Sequence, residues 1–362
     1  MSSAFRAEWT WTPDGLVRGE IVAVDAGGRV VPYAGGPVQE HVGVLVPGFV
    51  NAHTHLELGT LATPRRCGLP TWVSMLRTLG APSAAQAGRG VFVAIRAGTA
   101  AVGEISNTGL STRALVAAHL PARTFHEVFG IDVDAPPTLG ADVPGRLTPH
   151  APHSTNPSII RAAAAMAGPW SIHFDEDPEE ALFLKEGRGA WMDFLKAVGR
   201  DLRAFSIPAL SPAAYLARLD VLDRRALLVH ATCTRGADLD RIAGARVCLC
   251  VRSNLHITGR LPDVPGMISR GIPLSIGTDS LASSPDLDLL AEAAALRRSF
   301  PAIPVETWMR ALTEGGADAL AMPLGRIREG EAPGLLLVDA PDLASLFDGT
   351  PWRRRWLSCP SC

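Results

Sequence analysis

"PGFVNAHTHLELG", residues 47–59, places two histidines one residue apart at the end of an apolar run, with a carboxylate, Glu57, just beyond. Residues two apart on a strand point to the same side, so His53 and His55 can reach one point. A strand that merely contains histidines and a strand that delivers metal ligands both account for this pair. The choice between them depends on what the other apolar runs carry at their ends.

Seven further runs follow: "AVGEISNT", "TFHEVFG", "RLTPHA", "WSIHF", "ALLVHATC", "RVCLCVRS" and "PLSIGTD". Between several of them lie Ala/Leu/Arg-rich helical stretches such as "SIIRAAAAMAG" and "LDLLAEAAALRRSF". Eight β runs alternating with helices predict an α/β fold built on a parallel sheet, and eight strands suit a closed (β/α)8 TIM barrel. Both chain ends read differently. "EIVAVDAGGRVVPYAGG" and "GRIREGEAPGLLLVDAP" (325–341) are short strands and turns without intervening helices. The expected organisation is a catalytic barrel over 47–322 and a small β-sandwich domain built from 1–46 and 323–362. A chain of 362 residues has room for both.

Composition narrows the function classes. Hydrophobic residues make up 47% and charged residues 19%, which is globular and too apolar for disorder. A formal net charge of −2 gives no basic footprint for nucleic acid. No run approaches the roughly 18 apolar residues of a membrane span, and the N-terminus lacks a signal-peptide pattern. The six cysteines are scattered, so a reducing cytoplasm is expected. Cys359 and Cys362 form a C-x-x-C pair that reads as a tail feature. A homodimer is the default expectation for assembly.

In such barrels the chemistry sits at the C-terminal ends of the strands. The first run ends in His53 and His55. The fifth, "SIHFDE", gives His173 and Glu176; the sixth, "LLVHATC", gives His230; the eighth, "SIGTDS", gives Asp279. Each alone has a bland explanation, such as a satisfied core histidine or an Asx turn. Their coincidence at four strand ends points to a metal site, since three histidines and one aspartate suit a divalent transition metal with a position left for water.

The chain resembles the amidohydrolase superfamily, in the branch of cytosine-, guanine- and S-adenosylhomocysteine-type deaminases and triazine chlorohydrolases. The resemblance rests on "PGFVNAHTHLE", "SIHFDEDPEE", "LLVHATC", "CVRSNLHITGRLPDV", "IPLSIGTDSLASSPDLDLLAE" and "GRIREGEAPGLLLVD". It implies His53, His55, His173 and Asp279 as ligands to one divalent metal per chain, Zn²⁺ first with Fe²⁺ or Mn²⁺ as alternatives. It further implies Glu176 as proton shuttle and His230 beside the nucleophilic water. Within the branch, "HTHLELG", "TWVSMLRTLG", "TPHAPHSTNPS" and "PEEALFLKEGRGAWMDFLKAVG" are most similar to the aminodeoxyfutalosine deaminases of the futalosine route to menaquinone. Where that group more often reads "HLAE" and "PHAPY", this chain has Phe174, Asp175 and His153.

The only lysines, Lys185 and Lys196, both follow His173, so no carboxylated lysine before the fifth strand can bridge two metals. A mononuclear site is expected. The expected reaction is hydrolytic deamination of a purine nucleoside, catalysed by Glu176, His230 and Asp279. Substrate contacts are expected from His150, Glu57 and Glu176, and a substrate carboxylate would draw an arginine from Arg65, Arg66, Arg77 and Arg252. Asp175, Asp177, Glu179 and Glu180 read as helix N-terminal carboxylates. The alternatives are an S-adenosylhomocysteine, adenosine or guanine deaminase or a chlorohydrolase of the same branch. More remote is a binding protein on the same barrel, which would have no use for the whole polar set.

Overall fold

A computed structural model describes residues 2–59, 65–135, 137–138 and 144–359 of the chain. The N-terminal strands are β1 (Ser3–Thr12), β2 (Gly15–Arg18), β3 (Ile21–Val24), β4 (Val30–Val31) and β5 (Gln39–Pro47). Each of the eight apolar runs then forms a strand. They are β6 (Phe49–Thr54), β7 (Thr99–Ser106), β8 (Ala122–Val128) and β9 (Arg146–Pro149), then β10 (Trp170–Phe174), β11 (Ala226–His230), β12 (Arg246–Leu249) and β13 (Leu274–Ile276). β14 (Leu335–Val338) and β15 (Arg354–Ser358) follow.

The eight central strands form two parallel four-stranded sheets, in the orders β6-β7-β8-β9 and β10-β11-β12-β13. Helices between them, such as Pro157–Ala165, Pro178–Glu186 and Leu289–Ser299, pack large side chains against the strands. β7 and β11 are buried along their whole length, and in β7 that burial takes in Thr99, Glu104 and Ser106 as well as the apolar residues. Short polar caps start the helices: Asn156, Asp177 and Asp288 each accept a first-turn backbone N–H.

The two sheets adjoin at both edges. On one side Thr54 and Asp279 form a parallel bridge, and His53 O accepts from the backbone N–H groups of Thr278 (3.1 Å) and Asp279 (3.2 Å). On the other, the His173 N–H donates to His150 O at 2.9 Å. Gly277 permits the first contact, because a side chain there would lie 2.7 Å from His53 O and 2.9 Å from Cys248 Sγ.

Strands from both chain ends share one mixed sheet. Among the described residues it has seven strands in the order β15-β14-β5-β1-β3-β4, with β2 paired to β1. Its period-two pattern divides the side chains. Val44, Val46, Leu336 and Val338 join the main core, whereas Phe5, Ala7, Leu45, Leu335 and Leu337 form a separate cluster on the other face. Arg354 ties this sheet to the centre: it donates to Asp288 (2.9 and 2.7 Å) and to Ala97 O (2.8 Å).

No helix among the described residues is long and apolar enough to cross a membrane. Cys67, Cys233, Cys248, Cys250 and Cys359 are free thiols, and Cys362 lies outside the described residues.

Candidate active site

Six polar residues expected from the sequence meet at the C-terminal ends of the strands. His53 and His55 come from β6, His173 from β10, Glu176 from the turn after it, His230 from the last position of β11, and Asp279 from just beyond β13. His55 Nε2 lies 3.2 Å from His173 Nε2 and 3.6 Å from Asp279 Oδ1, while His53 Nε2 is 4.0 Å from the same oxygen. The His53–His173 and His173–His230 ring centroids are 4.9 and 5.6 Å apart. Asp175, His230, Ala231 and Asp279 adopt positive φ, a backbone cost that concentrates where side chains are aimed for function.

The outer contacts fix how these groups face. Asp279 Oδ2 accepts from Ser253 Oγ (2.6 Å) and Ser283 Oγ (2.7 Å), which leaves Oδ1 toward the histidines. His173 Nδ1 is 3.1 Å from His150 O, and a proton there turns Nε2 inward. His230 Nδ1 is 2.8 Å from Asn254 Oδ1, so Nε2 faces Glu176 Oε2 at 3.4 Å. His53 has no such partner: it is wholly buried and neither ring nitrogen makes a hydrogen bond. A buried polar group left unpaired costs about 1–3 kcal/mol, and a cation among three imidazoles and a carboxylate removes that cost. The residues present therefore fit a divalent metal. Two overlapping groups, His53/His173/His230 and His53/His55/Asp279, each bring their ligand atoms within 4.8 Å of one another.

Electrostatics agree with this fit. Burial, reinforced by neighbouring imidazoles, holds His53 and His150 well below the usual histidine range. Neutral imidazoles are the form that binds metals. Burial opposes ionisation of Asp279, but His55, His230 and the two serine hydroxyls outweigh it and hold its carboxyl low. Glu176 goes the other way: burial first, then the charges of Asp279, Asp177 and Glu180, pushes it well above the ordinary range. One carboxylate is set to ligate or accept a proton, and the other to donate one.

The centre opens into a cavity of about 300 Å³ lined by His150, Trp72, Trp191, Phe194 and Arg77, among others. Arg77 sits 6.0 Å from the Phe194 ring centroid and has no carboxylate partner among the described residues. The other expected arginines lie elsewhere. Arg65 and Arg66 are exposed, and Arg252 is forked onto Asp286 (2.7 and 3.1 Å), with Glu292 at 3.8 Å.

Glu57 is also absent from the cavity lining. It is 2% exposed, and its oxygens accept from Ser106 Oγ, from the Asn107, Thr108 and Ser111 N–H groups and from Ser111 Oγ, at 2.7–3.1 Å. The cause is local: the helix Leu110–Ala117 begins at Gly109, which has no side chain to cap it, so Glu57 supplies the acceptor. Of the acidic run, Asp177 caps its helix as expected. Asp175 instead bonds Thr234 (2.7 Å), and Glu180 is buried in the cavity wall 3.5 Å from His153. Residues not singled out in the sequence also belong here: Ser253, Asn254 and Ser283 around Asp279 and His230, and Glu127 and Asn107 on the cavity wall.

The amidohydrolase family model matches residues 139–353. Aminodeoxyfutalosine deaminase of Deinococcus radiodurans is 30% identical over 88% of this chain and 84% of its own length. The chain belongs to the amidohydrolase family. It is an enzyme, of the hydrolytic deaminase type. A second relative, the 5-methylthioadenosine/S-adenosylhomocysteine deaminase of Nitratidesulfovibrio vulgaris, is 28% identical over 84% of this chain and 74% of its own. This amidohydrolase shares its fold with Helicobacter pylori aminofutalosine deaminase, at a TM-score of 0.81, 22% identity and 99% coverage of both chains.

Because Glu57 braces a helix start, Glu57→Ala should lower unfolding stability by about 1–3 kcal/mol, seen as an earlier urea midpoint at unchanged slope. Retained stability with lost turnover would instead assign Glu57 to the chemistry.

Proposed function

We propose that this amidohydrolase removes the amine of an adenine-containing nucleoside, with aminodeoxyfutalosine as the substrate and menaquinone formation in the cytoplasm as the setting. The observation that carries the hydrolytic part is the unpartnered, buried His53 among His55, His173 and Asp279, with Glu176 alongside. The substrate rests on the Deinococcus relative and on Arg77, an unpaired guanidinium over an aromatic ring in the cavity, suited to an aryl carboxylate. The Nitratidesulfovibrio relative supports a second reading, a methylthioadenosine or S-adenosylhomocysteine deaminase. On the same reading, β6–β13 close into a (β/α)8 barrel over 47–322. Segments 1–46 and 323–362 curl into a small sandwich, which gives the outer apolar face of their sheet a core of its own.

His53, His55, His173 and Asp279 would hold one divalent ion, Zn²⁺ by ligand chemistry. When bound, the ion acidifies water so that hydroxide is available near neutral pH. Asp279 Oδ1 accepts the proton given up by the attacking water. His230 Nε2, oriented through Asn254, directs the water toward the ring carbon bearing the amine. Glu176, held protonated by its surroundings, donates to the neighbouring ring nitrogen as oxygen adds, takes up the proton held by Asp279 and relays it to the amine, and regains its own proton from the new hydroxyl as the carbonyl forms. The C–N bond breaks, ammonia leaves and the ring keeps a carbonyl. Substrate contacts come from His150, beside His173 at a centroid distance of 5.0 Å, and from Arg77.

Three measurements test this. The purified protein should hold about one divalent transition metal per chain, lost in His53→Ala and in Asp279→Ala; two tight metals, or retention in either variant, would refute the mononuclear set. Glu176→Gln should keep its metal and lose at least about 10²-fold in kcat; near-normal turnover would remove Glu176 from the proton path. Aminodeoxyfutalosine should be preferred over its neutral carboxamide by about 10- to 100-fold in kcat/KM, and Arg77→Ala should abolish that preference. Equal efficiency of the wild type toward adenosine, S-adenosylhomocysteine and aminodeoxyfutalosine would sink the specific substrate and leave the deaminase chemistry standing.

A further inference from the structure

One carboxylate in the cavity has no part in the chemistry above. Glu127, at the end of β8, lines the cavity with a side chain 7% exposed. Its two oxygens differ. Oε2 accepts from Asn107 Nδ2 at 3.0 Å, whereas Oε1 is buried and accepts no hydrogen bond. The ring nitrogen His173 Nδ1 lies 3.4 Å from Oε1 but is closer, at 3.1 Å, to His150 O. A buried acceptor left open in this way is completed by a donor brought by a ligand.

The groove around Glu127 is built to hold that oxygen still. Glu57 accepts the Asn107 and Thr108 N–H groups and so fixes the 106–111 turn; the Asn107 side chain then grips Glu127. Glu57 thus reaches the cavity through two intermediaries.

The chemistry of a carboxylate selects its ligand group. It offers acceptors only. The ring nitrogens of an adenine are acceptors as well and cannot complete it, and the exocyclic amine belongs beside Glu176. The remaining donors of a nucleoside are the sugar hydroxyls. We infer that Glu127 accepts the cis-diol of the substrate's ribose, with Asn107 as a positioning residue that holds the carboxylate. This rests on the nucleoside reading above and places at the end of β8 a substrate contact in place of the one expected from Glu57.

The test compares ammonia release from adenosine and from 2′,3′-dideoxyadenosine by the metal-loaded enzyme. The wild type should favour adenosine at least about tenfold in kcat/KM, as charge-assisted hydrogen bonds require. In Glu127→Gln that preference should fall at least about tenfold, mostly through a higher KM for adenosine. Asn107→Ala, which leaves the carboxylate in place but ungripped, should lower it by less. A wild type that deaminates both nucleosides equally well overturns the diol assignment and leaves the deaminase reading intact. No ammonia from any adenine nucleoside removes the reading on which it rests. Equal losses of kcat on both nucleosides in Glu127→Gln, with loss of bound metal, would overturn it by making Glu127 a support for His173.

Discussion

The site depends on how the first and last of the eight strands meet. His53 O accepts two backbone N–H groups from the Thr278–Asp279 turn, and Asp279 O accepts the His55 N–H (3.1 Å) and the Thr54 hydroxyl (2.8 Å). Asn51 reinforces the pair through Thr278, at 2.7 and 3.2 Å. These bonds set the register of β6 against the Asp279 turn. A slip of one residue would turn His53 and His55 to the other face of the strand and leave Asp279 without neighbours. Three of the polar groups in the centre, His53, His55 and Asp279, are therefore placed by backbone pairing, and their side-chain contacts only refine the aim.

Burial then divides the roles. The same desolvation keeps His53 and His230 neutral and raises Glu176, whereas Asp279 escapes it because two histidines and two serine hydroxyls favour its ionised form. Two carboxylates a short distance apart thus differ in proton affinity through their surroundings alone. Neither identity nor spacing encodes that difference; it arises from what the fold packs around each group.

The succession of strands and the polar residues that converge at their ends could be read directly because apolar runs mark strands and function gathers at one end of them. His53, His55, His173, Glu176, His230 and Asp279 all lay at such ends. The misread residues were judged by their sequence neighbours. Glu57 stands beside the histidine pair, yet its partners are Ser106–Ser111, some fifty positions away. Arg252 sits within a family motif, yet Asp286 and Glu292 claim it. Glu180 resembled a solvated helix-start acid until the packing of His153 and Trp191 enclosed it. Glu127 carried a faint signal, a lone acid inside the run "TFHEVFG", with no spaced partner to draw attention to it. Arg77 could be separated from the other arginines only once Arg65 and Arg66 were placed at the surface and Arg252 on Asp286.

The Arg354 brace bears on the order in which the chain is made. Asp288, which it grips, starts the helix that follows the Asp279 turn, and Asp286 next to it anchors Arg252. A ribosome delivers Arg354 after every one of these residues. The clamp on Asp288 therefore cannot form until β15 has been made. Early-made β5 must likewise keep its edge open for β14, almost three hundred positions later. Sequence distance of this kind slows folding. It also means that the terminal sheet closes only after all eight central strands have been made.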